Sequence, residues 1–87
     1  MQSEYNDEIY NLLLHIKNDL GADIASMSYF EKYKFNPVIV AVFSKLNVIV
    51  KFDLNNVECV IKQFGYEQAK LKIDTEIYNT LKKMGLI

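Results

Sequence analysis

A chain of 87 residues, half of them apolar and a quarter charged, has ordinary globular composition and is sized for one domain spanning 1–87. Such a chain buries roughly 60–65 % of the surface its unfolded form exposes, so it folds alone with little to spare. A net charge of −1, with ten lysines and no arginine, argues against a strongly basic nucleic-acid domain and removes the side chain best shaped to read phosphate and guanine edges.

The first element is a helix. Ser3 can cap it, and Glu4, Asp7 and Glu8 sit in its first turn, at the positive end of the helix dipole. Tyr5, Ile9, Leu12, Leu13, Ile16 and Leu20 recur at helical spacing, and Gly21 follows as a left-handed stop. An alternating segment comes next. It sets Ala25, Met27, Tyr29, Tyr33 and Phe35 on one side and Ser26, Ser28, Lys32 and Lys34 on the other. Phe30 and Glu31 break the alternation, which fits a bulge, and Asn36-Pro37 ends the segment. The run 38–43, VIVAVF, has no polar residue and reads as an inner strand covered on both faces. The run 48–53, VIVKFD, buries Val48, Val50 and Phe52 and turns Ile49, Lys51 and Asp53 outward, after a four-residue connection that suits a hairpin.

Asn55 or Asn56 can cap a second helix, with Val57, Val60, Ile61 and Phe64 inward and Gly65 at its end. Ala69, Leu71 and Ile73 alternate with Lys70 and Lys72, as in a short strand. Asp74 or Thr75 then caps a last helix with Ile77, Leu81 and Met84 inward. The expected order is α-β-β-β-α-β-α. It implies an α+β fold with a mixed, mostly antiparallel sheet of three to four strands and helices packed on it.

Charge is unevenly placed along the chain. Residues 1–31 hold six acids against Lys17, and 32–87 hold nine lysines against five acids. One cysteine forbids an internal disulfide and makes a reduced, cytoplasmic setting the expectation. The polar, acidic start is unlike a signal peptide, and Ser44, Lys45, Asn47 and Lys51 interrupt the apolar stretch 37–52 that would tempt a membrane reading. Abundant isoleucine, asparagine, lysine and tyrosine point to an AT-rich coding genome, such as that of a low-GC bacterium or of a virus or mobile element living in one.

Catalysis has little to draw on. His15 is the only histidine, lies off the apolar stripe and reads as solvated; Cys59 is the only thiol. These two residues cannot make a familiar metal site, no glycine-rich loop offers a phosphate cradle, and no cofactor is expected. The segment 29–35, YFEKYKF, combines bases' stacking partners (Tyr29, Phe30, Tyr33) with Lys32 and Lys34, and Lys70 and Lys72 could share its sheet. Those aromatics are also what a small core needs, so weak nucleic-acid binding is the alternative and packing the main reading. Tyr10 and Leu14, four residues apart and off the buried stripe, form an apolar patch bordered by Glu4, Asp7, Glu8 and Asn11. Cys59 points away from the stripe of its helix, and Tyr78 flanks the stripe of the last one. These residues are the candidate contact surface of a non-enzymatic module that binds a protein partner or a second copy of itself, with an inhibitor or regulator among the roles that fit its size.

Overall fold

The computed structural model describes residues 5–30 and 36–87. Ile9, Leu12 and Ile16 share one helical stripe, and α1 (Asn6–Asn18) buries all three. Tyr5 occupies its N-cap position, later than a cap at Ser3 would start the helix, and Ser3 and Glu4 lie outside the described residues. Three strands follow, β1 (Ile24–Phe30), β2 (Asn36–Phe43) and β3 (Val48–Asp53), in the spatial order β1-β2-β3 with both pairings antiparallel. Pro37 lies within β2 rather than ahead of it. It faces Tyr29 of β1 one residue beyond the pairing with β3, so its missing N–H falls where the strand has a single neighbour. Between β2 and β3 the chain makes one 3-10 turn, Ser44–Leu46, and closes it with Asn47 at φ 57°, a left-handed position that asparagine tolerates.

β3 runs directly into α2 (Leu54–Phe64). Asp53 is the cap: its Oδ1 accepts the Asn55 N–H at 2.9 Å, which puts Asn55 and Asn56 inside the helix instead of at its start. Gly65 ends α2 at φ 94° and ψ 168°, a conformation open to glycine, and this one-residue joint launches α3 (Tyr66–Lys83). The segment expected as a fourth strand is therefore helix. Ala69, Ile73, Ile77 and Leu81 are all buried at intervals of four, whereas Leu71, which a strand would place beside Ala69 and Ile73, is exposed. Asp74 and Thr75 lie within α3 and cap nothing. Phe64 and Met84, expected inward, stand at the ends of their helices and are exposed.

The cross-strand register separates the two faces of the sheet. Ile39 pairs with Phe52, Ala41 with Val50 and Phe43 with Val48; all six are buried in one cluster with the inner residues of α1, α2 and α3. Each large aliphatic buried there contributes roughly 1.5–3 kcal/mol. The result is an α+β fold with a three-stranded antiparallel sheet and helices on one face. Val40 and Val42 are only half-buried, so the expectation that β2 is covered on both faces does not hold. Met27 of β1 shares the helix-side face with Ile39 but is 41 % exposed, on a strand that has a neighbour on one side only.

Candidate functional site

The face of the sheet turned away from the helices carries an exposed apolar band. Register places Ile24, Val42 and Ile49 in one row across all three strands, with Ser26, Val40 and Lys51 in the next and Ser28, Val38 and Asp53 in the third. Cross-strand partners stand about 4.5–5.5 Å apart, so the first row is a continuous aliphatic band. Ile24 is 52 % exposed and Ile49 60 % exposed. Val38 is buried yet belongs to no part of the main core cluster. The sequence holds the signal for this band, in the all-apolar run of β2 and in Ile49 on the polar side of β3. It could not be read because an apolar face under a helix layer and one left bare look the same along the chain.

On α1, Tyr10 is 61 % exposed and Leu14 38 % exposed, with Asp7 and Asn11 exposed and Glu8 half-buried beside them; Glu4 lies outside the described residues. Cys59 is exposed on α2, and Tyr78 is exposed on α3 with Lys82 Nζ 5.9 Å from its ring centroid. Among the described residues no hydrogen bond or ring contact joins Tyr10, Leu14, Cys59 and Tyr78. Tyr10 and Leu14 lie four residues apart on α1, with Cys59 on α2 and Tyr78 on α3.

Of the aromatic and lysine set, Lys70 and Lys72 fall on a different element from Tyr29 and Phe30. Tyr29 and Phe30 take backbone positions at the end of β1, and Lys32, Tyr33 and Lys34 lie outside the described residues. Lys70 and Lys72 are on α3 and not on the sheet, and Lys72 Nζ pairs with Glu76 Oε1 at 3.4 Å. That placement removes two of the lysines from the proposed base-stacking platform.

His15 departs from the solvated histidine expected of it. Its side chain is 9 % exposed, with Nδ1 2.7 Å from Asp19 Oδ2 and Nε2 2.6 Å from Asp74 Oδ1. The second contact fastens α1 to α3 across 59 residues of sequence. Tyr66 lies in the same seam; partial burial, and then the charges of Glu67, Asp19 and Asp74, raise its hydroxyl above the usual tyrosine range. Asp23 forms a second polar fastening: it accepts the Ser44 N–H, and that bond, the Ser44 hydroxyl and nearby Lys45 hold its carboxyl below the usual range. Among the described residues no three His, Cys, Asp or Glu side chains gather as a metal site would need. No described helix is long and apolar enough to cross a membrane. A cleft of about 280 Å³ near Gly21, Phe43 and Leu46 falls at the lower edge of the volumes that hold small ligands. Comparison of the chain with protein-family models, curated proteins and solved structures gives no match.

Proposed function

We propose that the protein is a non-enzymatic binding module that docks a protein partner on the bare face of its sheet. The observation that carries this reading is the Ile24–Val42–Ile49 row, three aliphatic residues aligned across three strands with no helix over them. Three such residues in one cross-strand row present an apolar centre, and Ser26, Lys51 and Asp53 supply a polar border. A partner that buries one of the isoleucines gains roughly 1.5–3 kcal/mol from that side chain. Left in water, these side chains contribute nothing to the stability of the free module.

Capture from lysate of the source cell tests the reading with two variants. Ile49→Lys should leave the fold intact and weaken capture of the partner by about tenfold or more. Leu14→Glu should capture the same protein as wild type. Loss with Leu14→Glu and retention with Ile49→Lys moves the contact to the Tyr10–Leu14 patch of α1. Equal capture by both variants and wild type removes the docking face.

A further inference from the structure

We propose that β1 pairs with the β1 strand of a second copy of this chain, antiparallel about a two-fold axis at Met27. This proposal rests on the edge of the sheet and not on its bare face. In the order β1-β2-β3 both outer strands have a free side, and among the described residues no hydrogen bond reaches the outer side of β1. Every second residue of a seven-residue strand thus turns an N–H and a C=O outward, which is a template for another strand.

The two edges differ in how they are protected. β3 carries Lys51 and Asp53, and Lys72 and Glu76 of α3 line the cleft beside them. β1, reading IASMSYF, has no charged residue, proline or glycine. Charges and prolines on an edge are the usual guards against pairing, and β1 has none.

Register selects a second copy as the occupant. A strand paired with itself keeps its two faces distinct only when the axis passes through a residue, because side chains alternate with a period of two. For β1 the central residue is Met27; Ser26 then stands opposite Ser28 and Ala25 opposite Tyr29, with no charge facing a charge. For β3, an axis at Lys51 sets lysine against lysine, and one at Val50 sets Lys51 against Ile49. The exposed helix-side surface of Met27 would be covered by its own counterpart. Such a dimer is isologous, the commonest arrangement of soluble homo-oligomers. Its axis stands perpendicular to the sheet, so both helix layers stay on one side and the two bare faces join on the other.

Sedimentation of the full chain over a range of concentrations tests this. Wild type should form dimers, and Met27→Lys and Met27→Glu should each dimerise at least about tenfold more weakly, since like charges meet on the axis. Mixing the two variants in equal amounts should restore the dimer, which also shows that both fold. Ile49→Lys should keep the wild-type mass, which separates this proposal from the docking face. Amide exchange of wild type offers a reading without mutation: alternate amides of residues 24–30 should exchange about tenfold more slowly at concentrations where the dimer forms. A wild-type chain that stays monomeric, a dimer that Met27→Lys leaves intact, or exchange in β1 that ignores concentration would overturn it.

Discussion

His15 is held from both sides. A neutral imidazole has one N–H, and an imidazolium has two, so only the charged ring donates to Asp19 and Asp74 together. The two contacts differ in worth. Asp19 is four residues away, at the C-cap of the same helix, and 63 % exposed, whereas Asp74 is on α3, 37 % exposed, and joins elements far apart in the chain. Surface pairs at such spacing contribute about 0.3–0.5 kcal/mol, and a hydrogen bond to a charged group with little water near it about 1.5–3 kcal/mol. His15→Ala should therefore lower the unfolding free energy in urea by about 1–2 kcal/mol, below the upper value because Asp74 keeps part of its hydration. Asp19→Ala should cost less than half as much. In a double-mutant cycle His15 and Asp74 should couple by at least about 0.5 kcal/mol. A neutral His15→Ala would mean that apolar packing alone holds α3 on α1.

At the scale of elements, α3 shows how a short pattern misleads. Ala69-Lys70-Leu71-Lys72-Ile73 alternates perfectly, and over five residues that alternation is also compatible with a helix that buries residues 69 and 73. Only the longer run to Ile77 and Leu81 resolves the period, and the buried set follows it. The two readings make opposite claims about Leu71. A strand would bury it with Ile73, while the helix turns it to water. Ile73→Ala should cost about 2–5 kcal/mol, as truncation of a fully buried aliphatic does, and Leu71→Lys should stay within about 0.5 kcal/mol of wild type. Comparable losses at both positions, measured by thermal or urea unfolding, would restore the strand. The remaining elements were legible for the same physical reason in reverse. The stripe of α1 runs over more than three turns, β3 alternates with Lys51 and Asp53 at two of its three outward positions, and Gly65 marks the end of α2. What the chain did not disclose depends on residues distant in sequence: the bond from His15 to Asp74, and the side of β2 on which no helix settles.

The molecule as a whole is held by one cluster with unequal membership. It draws buried residues from α1, β2, β3, α2 and α3, and its Cα radius of gyration of 12.8 Å is near the roughly 12 Å expected of a compact chain this long. β1 is the exception. Among its described side chains it contributes the partly buried Ala25, while Ile24, Ser26, Met27 and Ser28 are exposed or half-exposed. The ladder to β2, the bond from the Asp23 N–H to the Val42 carbonyl at 2.8 Å and packing against α1 hold it on the fold. Free energies of local opening range from near zero to the global value according to how much apolar contact an element shares, so β1 should open before the rest. In dilute solution, the amides of residues 24–28 should exchange through an opening smaller than global unfolding and weakly dependent on urea. Those of Ile39 and Ile73, both fully buried, should exchange only as the whole chain unfolds. The order also has a consequence for assembly: a strand that gains a partner on its free edge gains the protection it lacks alone, so the gap between β1 and β2 should narrow as concentration rises. If β1 is as protected as β2 at the lowest concentration measured, the cluster extends further toward that edge than its buried residues indicate, and β1 does not depend on a second strand.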